Sequence, residues 1–282
     1  MAALAGAVPA EAHGGLAHAI GWTLDPSIAI PLLLAAILYA VGCVRLRARA
    51  GRGRERLIRR ACLYVAGWLF LAGALVSPLH EAGEHSFTFH MIEHELLMLP
   101  ATLLLVAARP GAALLWGLPR SLRHLAGSAA RFSSWRRLTE PITATGIQGL
   151  VLWLWHMPGP FDLALRQEGW HIAQHLCFVA VALLFWWAML HRTSKALAAM
   201  CLFTTSMIGG ALGALMALSA SPWYSSYAQM GMTPFGLSPA EDQQLAGLIM
   251  WIPGGAFHLA AALWFLASWL SSREGRDALL LD

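Results

Sequence analysis

The stretch His90-Met91-Ile92-Glu93-His94, followed by the apolar run Leu96–Val106, decides how this chain folds. Residues four apart on an α-helix lie one above the other, only about 40° apart around the axis. His90 and His94 therefore share one face of a predicted helix. The apolar run is long enough to carry that helix into a membrane, so the stretch predicts two imidazoles at the mouth of a membrane span.

Thioethers and carboxylates accompany these imidazoles. Met91 and Met98 fall on the same helical stripe, while Glu93 and Glu95 flank it on opposite sides. Ionisable side chains inside a membrane span are costly, so they are read first as functional. The alternative is that His90, His94 and Glu93 form a hydrogen-bonded polar cluster that only helps to pack the helix.

The composition indicates a membrane protein. Of 282 residues, 58% are apolar and 12% are charged, whereas a soluble domain carries about 25% charge. The net charge of +4 comes from basic residues confined to a few loops, which membrane topology explains better than nucleic-acid binding. The four cysteines form no Cys-x-x-Cys pair, and neither a disulfide framework nor a thiolate zinc site is indicated.

The fold class predicted is all-α: a polytopic helical bundle of about seven transmembrane helices. The second and fourth spans are short for a bilayer. The predicted spans are Pro26–Val44, Ala61–Val76, Phe87–Ala108, Pro141–His156, Trp170–Leu190, Ala196–Ala220 and Leu245–Leu270.

Basic residues predict the orientation. Every lysine and arginine except Arg166 lies in alternate loops, so by the positive-inside rule those loops are cytoplasmic. The N-terminus is then external and the C-terminus cytoplasmic. This predicts an external tail over residues 1–25, a transmembrane domain over 26–270 and a cytoplasmic tail over 271–282.

More histidines reach the depth of His90 and His94. His156 closes the fourth predicted span at its outer end, and His171 and His175, again four apart, open the fifth. Five imidazoles from three helices are therefore expected to cluster near the outer surface. The alternative is that these residues, like the neighbouring tryptophans, only anchor the helix ends at the membrane surface. His80 and His85 are expected to be solvated residues of the loop above.

His258 lies deeper, about 20 Å into the seventh predicted span at the helical rise. Pro253-Gly254-Gly255 precede it. Proline kinks a helix and paired glycines allow another helix to approach closely, which could bend His258 toward the cluster. A lone histidine at this depth is otherwise a packing residue or part of a proton path.

Clustered imidazoles and thioethers point to a transition metal. Neutral imidazole binds copper, zinc or iron, and thioether sulfur favours Cu(I). Ligand histidines usually need a hydrogen-bond acceptor behind them. The predicted metal ligands are His90, His94, His156, His171, His175, His258, Met91 and Met98. The predicted acceptors behind them are Glu93, Glu95, Asp162 and Gln174.

Four motifs resemble the multi-spanning membrane CtaG family, whose members are described as cytochrome c oxidase assembly factors in bacteria. The motifs are His90-Met91-Ile92-Glu93-His94, Trp153-Leu154-Trp155-His156-Met157-Pro158-Gly159-Pro160-Phe161-Asp162, His171-Ile172-Ala173-Gln174-His175 and Trp251-Ile252-Pro253-Gly254-Gly255-Ala256-Phe257-His258. The resemblance covers most of the chain from the second predicted span onward. It implies a multi-pass protein of the bacterial plasma (inner) membrane that helps a haem–copper oxidase to mature, plausibly by delivering copper.

The leading hypothesis is an assembly factor, not an enzyme, that binds copper at its outer face and passes it to an oxidase subunit. A periplasmic copper donor is a possible second partner, and the bilayer is its surroundings. One alternative is a haem-binding electron carrier, because bis-histidine haem also uses imidazoles from facing helices. The other is a metal or proton transporter, which would need polar groups at successive depths.

Overall fold

The computed structural model describes residues 21–49, 53–123 and 133–278, with side chains up to residue 272. Most of the predicted N-terminal tail lies outside the described residues, as do parts of two basic loops and the last residues of the chain. The domain boundaries and the orientation therefore stay predictions.

The described residues form helices and connecting turns, which confirms the all-α prediction. The longer helices are α1 (Pro26–Arg47), α2 (Arg54–Val76), α8 (Pro141–Trp155), α10 (Glu168–His191), α11 (Lys195–Ala217) and α14 (Gly255–Ala278). The shorter ones are α3 (Pro78–His85), α4 (Phe87–Leu96), α5 (Thr102–Ala107), α6 (Gly111–Gly117), α7 (Ser133–Leu138), α9 (Pro158–Arg166), α12 (Ser225–Met230) and α13 (Pro239–Ile249).

Six helical segments in the described residues are long and apolar enough to cross a bilayer. Two of them are composite: α4 continues into α5, and α13 continues into α14. The fourth predicted span corresponds to α8, whose 15 residues reach only about 22 Å at the helical rise. A hydrocarbon core is about 30 Å thick, so α8 falls short of a full crossing and the count of seven stays a prediction.

Both composite helices contain a π-helical turn next to a proline. These turns span Leu97–Ala101, with Pro100, and Met250–Gly254, with Pro253. Proline cannot donate the usual backbone hydrogen bond, and a π-turn accommodates that loss without ending the helix. The kink predicted at Pro253 therefore takes the form of a widened turn.

The main core joins α4, α8, α10 and α11, and it buries Phe178, Phe185 and Trp186 completely. By contrast, α1 and α2 bury few of their side chains and expose many large apolar ones, as lipid-facing helices do. Tyr39 and Tyr64 stack at 3.6 Å and hold these two helices together. The most deeply buried part of the bundle is thus the part that carries the predicted histidines.

Candidate metal centre

The first turn of α4 is fixed from a distant part of the chain. The carboxylate of Asp242, on α13, accepts hydrogen bonds from Ser86 Oγ at 2.8 Å, Phe87 N at 2.6 Å and Thr88 N at 3.1 Å. The first N–H groups of a helix have no partner within that helix, and here a buried carboxylate supplies it. Asp242 is 1% exposed. This contact holds the helix that presents His90 and His94.

The histidines of α4 and α10 meet in the interior. The ring centroids of His90 and His94 are 4.2 Å apart, and those of His171 and His175 are 4.4 Å apart. Across the two helices, His94 lies 5.1 Å from His175 and His90 lies 5.5 Å from His171. The i, i+4 spacing thus places four imidazoles together, as the sequence predicts. We call these four, with His80 and His156, the histidine cluster.

Three of these rings come close to the arrangement of a metal site. One ligand nitrogen from each of His90, His171 and His175 lies within 4.8 Å of the other two. Because metal–imidazole bonds are about 2.0–2.1 Å long, small ring rotations would let all three nitrogens hold one ion. Both ring nitrogens of His94 and Nε2 of His171 and His175 are buried without a hydrogen-bond partner. Buried polar atoms without partners are rare and call for an explanation.

His156 borders the cluster, and its Nε2 has no hydrogen-bond partner. Its ring lies 6.3 Å from that of His94. Its Nδ1–H donates to the carbonyl of Leu152 at 2.7 Å. Since that bond holds the proton on Nδ1, Nε2 carries the lone pair, which is the form that binds a metal.

The expectation for His80 is wrong. It does not lie in a solvated loop: it sits on α3, is 7% exposed, and donates from Nδ1 to the fully buried carboxylate of Glu93 at 2.7 Å. Burial opposes the charged ring, but the hydrogen bond and negative charge of Glu93 outweigh it and raise the pKa of His80. His80, Glu93 and His175 form a second close group of possible metal ligands.

A local signal could have predicted α3. Ser77 followed by Pro78 is typical of a helix start, with serine as the cap and proline at the first helical position. The Ser77 side chain indeed accepts from Leu79 N. Tyr227 then fixes α3 by donating to the carbonyl of Gly83 at 2.6 Å. No comparable signal points to Asp242, because its partners are more than 150 positions away.

The predicted acceptors separate into different places. Glu93 belongs to the cluster, with its Oε1 at 3.8 Å from His175 Nδ1, and Gln174 is fully buried on α10 between His171 and His175. Asp162 instead accepts from Ser225 and Ser226 and so caps α12. Burial opposes this charge, but those hydrogen bonds lower the pKa of Asp162 below its ordinary value.

Three further predicted residues lie apart from the cluster. Glu95, Met98 and His258 line a separate small cavity on the other side of α4. The kink at Pro253 therefore does not bring His258 to the other histidines: its ring stacks on Trp186 instead. Met91 is buried on the same helix as His90.

A cavity of about 540 Å³ leads to the cluster from the side. It lies between α1, α2 and α10, and we call it the lateral cavity. His80, His171 and His175 reach its wall. The apolar part of the wall includes Leu71 and Leu75. The histidines can therefore be approached without passing through the packed core.

Fold and site define a polytopic membrane protein with a buried histidine cluster. The chain belongs to the family of cytochrome c oxidase caa3 assembly factors (Caa3_CtaG), whose sequence model matches residues 37–272. The resemblance inferred from the four motifs is thereby confirmed.

Two curated relatives carry no functional description. They are the uncharacterized protein Mb0105 of Mycobacterium bovis and the uncharacterized protein MT0111 of Mycobacterium tuberculosis. Each is 26% identical to this chain over 244 residues, which cover 82% of this chain and 36% of the relative. The chain thus spans little more than a third of the length of these relatives. No solved structure matches it.

Proposed function

We propose that this chain supports cytochrome c oxidase assembly by binding copper in the histidine cluster and passing it to an oxidase subunit. The observation that carries this proposal is the convergence of His90, His171 and His175, whose ligand nitrogens lie within 4.8 Å of one another. Copper is the cargo here, and the protein performs no bond chemistry on it.

The neighbouring residues suit such a cargo site. His94 and His156 offer additional unpartnered nitrogens at the edge of the cluster, so copper has more imidazoles within reach than it can bind at once. Transfer by stepwise ligand exchange needs such spare ligands. Glu93 orients His80 by its hydrogen bond, as carboxylates behind metal-bound histidines do.

The lateral cavity supports delivery from the outer side of the bundle. Glu84, Asp25 and Glu168 lie on its wall together with His80 and His171. Carboxylates attract cations toward a site. A periplasmic copper donor and the receiving oxidase subunit would both act at this mouth, which predicts an external orientation for it.

The close packing of the rings favours an ion over haem. Bis-histidine haem needs two imidazoles on opposite faces of a flat macrocycle. Here His90 and His94 meet edge to face at 4.2 Å, and His94 and His175 meet edge to face at 5.1 Å. These distances leave no slot for a macrocycle between them.

The test is elemental analysis of the purified full chain after loading with copper, combined with a visible absorption spectrum. We expect about one copper in the cluster, lost in His175→Ala and in His90→Ala. His191→Ala is the matched control, because His191 lies on α10 with His175 but at its far end, beside Arg109. Equal copper contents in His175→Ala and His191→Ala would contradict the proposal. An intense haem band in the spectrum would indicate that the cluster binds haem and not copper.

A further inference from the structure

A second polar cavity lies inside the bundle, apart from the histidine cluster. It measures about 40 Å³ and is enclosed by residues of α4, α8, α11, α14 and both π-turns. Side chains that carry donor atoms line it, among them Glu95, Met98, Gln148, Ser206, Met250 and His258. A cavity of this size holds one or two waters, or a single ion. We call it the inner cavity.

Three polar atoms around the inner cavity have no hydrogen-bond partner. They are Glu95 Oε2, Gln148 Oε1 and His258 Nε2, all of them shielded from solvent. Gln148 and His258 are 2% and 8% exposed. Leaving a buried polar atom unpaired is unfavourable, so three such atoms at one cavity indicate a ligand that pairs with them.

The ring of His258 is held in a metal-binding form. Its Nδ1–H donates to the carbonyl of Gly254 at 3.1 Å, which leaves the lone pair on Nε2. Its plane stacks on Trp186 at 5.9 Å with only 3° between the rings. The ring is therefore fixed on two sides, and its unpaired nitrogen is the one available to the cavity.

The backbone makes room for the carboxylate. A Cβ atom added to Gly254 would lie 2.5 Å from Glu95 Oε2 and 2.8 Å from Glu95 Oε1, so any side chain here would displace the carboxylate. Gly254 ends the π-turn at Pro253. The widened turn and the glycine together place the carboxylate of Glu95 against this backbone.

The donor types select a soft, singly charged ion. Met98 and Met250 both line the cavity, and thioethers favour Cu(I). An isolated buried carboxylate is costly, and one monovalent cation would cancel its charge, whereas a divalent ion would leave an excess positive charge. Among the described residues that line the cavity there is no lysine or arginine to do this.

The inner cavity is distinct from the cluster but close to it. Gln148 and Leu152 line the cavity, and the carbonyl of Leu152 accepts the Nδ1–H of His156. Gln148 on α8 and His156, which directly follows α8, are eight residues apart, about 12 Å at the helical rise.

We propose that the inner cavity is a second binding site, for one Cu(I) ion, with His258, Met98 and Met250 as ligands and Glu95 as the balancing charge. The site stands on its own residues, so it does not depend on the function proposed for the histidine cluster.

The test is loading of the purified full chain with Cu(I) under reducing conditions against a competing chelator. Copper is counted by elemental analysis, and its ligands are read by X-ray absorption at the copper edge. The wild type should show sulfur ligands beside imidazole. Met98→Leu/Met250→Leu should lose the sulfur ligands and one equivalent of copper. Leucine nearly conserves the volume of methionine, so this variant should fold.

The matched control is Met189→Leu/Met216→Leu, which changes two methionines that are equally buried elsewhere. It should keep both the copper and its sulfur ligands. His258→Gln should weaken binding of the sulfur-ligated Cu(I) at least tenfold and leave the copper of the histidine cluster in place, whereas His175→Ala should remove the cluster copper and leave the sulfur-ligated Cu(I) in place. Copper without sulfur ligands in the wild type would overturn the proposal. Sulfur ligands that survive Met98→Leu/Met250→Leu would do so as well, because they would belong to Met91 in the cluster.

Discussion

The carboxylate of Asp242 accepts a 2.6 Å hydrogen bond from the backbone N–H of Phe87, a residue 155 positions earlier in the chain. Through this bond α13 caps α4, the helix that presents His90 and His94. The geometry of the histidine cluster is therefore set by a residue on the last composite helix, and Asp242 is a positioning residue for it.

Asp242→Ala should destabilise the protein by about 1–3 kcal/mol, because the hydroxyl of Ser86 and two backbone N–H groups lose a buried charged acceptor. It should also weaken copper binding, since α4 loses its fixed start. Unfolding in detergent and metal titration measure the two effects. The control is Glu241→Gln, which changes an exposed neighbour and should leave stability almost unchanged, because glutamine can keep the capping bond to Ser238. Equal effects of the two variants on stability and copper affinity would show that Asp242 does not position the cluster.

Glu93→Gln should weaken copper binding about 10–100-fold without changing the number of sites. Carboxylates behind ligand histidines have effects of this size when mutated, and Glu93 contacts both His80 and His175. Competition titration of the metal measures the change. Glu55→Gln is the control, because Glu55 is an exposed carboxylate in the first turn of α2, away from the cluster. A Glu93→Gln variant with wild-type affinity would show that Glu93 does not orient the ligands.

Stability of the metal-free protein should depend on the protonation of His80. Because Glu93 raises the pKa of His80 in the folded protein, the pair contributes fully below the unfolded pKa of about 6.5. The contribution is lost as the pH rises through the higher folded value. His80→Gln should therefore lower the midpoint of thermal unfolding more at pH 5.5 than at pH 9. His85→Gln is the control for losing a histidine from α3, and a penalty for His80→Gln that grows with pH would contradict the assignment.

Gly213→Ala should destabilise the crossing of α11 and α13. A Cβ at this position would lie 2.7 Å from the carbonyl oxygen of Gly247 and 2.8 Å from the backbone nitrogen of Trp251. Backbone atoms cannot move aside as a flexible side chain can, so a cost of about 1–3 kcal/mol is expected. Gly209→Ala, on the same helix, meets only Leu152 at 3.8 Å and should be neutral or slightly stabilising. Unfolding in detergent compares the two, and equal stabilities would disprove the close approach.

Leu75→Trp should slow metal uptake at least several-fold while leaving the number of bound ions unchanged. Leu75 lines the lateral cavity beside the cluster, so a larger side chain narrows the approach without touching a predicted ligand. Rapid-mixing measurements of copper loading give the rate. Leu69→Trp is the matched control, because Leu69 is on α2 as well but is 58% exposed. Identical uptake rates in both variants would mean that metal enters by another route.

Local sequence patterns predicted the long apolar helices and part of the candidate metal site. The i, i+4 spacing of His90 with His94, and of His171 with His175, fixes which side chains share a face whatever the helix packs against. The proline at position 253 likewise predicted an irregular turn, whereas the one at Pro100 was not predicted. Glu93 and Glu95 were expected on opposite sides of α4, and they do lie in different places: Glu93 contacts His80 and His175, and Glu95 lines the inner cavity.

The sequence by itself determined an all-helical membrane protein and the faces on which its histidines lie, because helical periodicity and hydropathy are properties of neighbours in the chain. Only the tertiary structure decided which faces meet. In the tertiary structure His80 joins the cluster, and Asp162 caps α12. His258 lines a separate cavity, and Asp242 caps α4. Each of these depends on contacts between helices distant in the chain, where packing and the need to pair buried polar groups choose the partner.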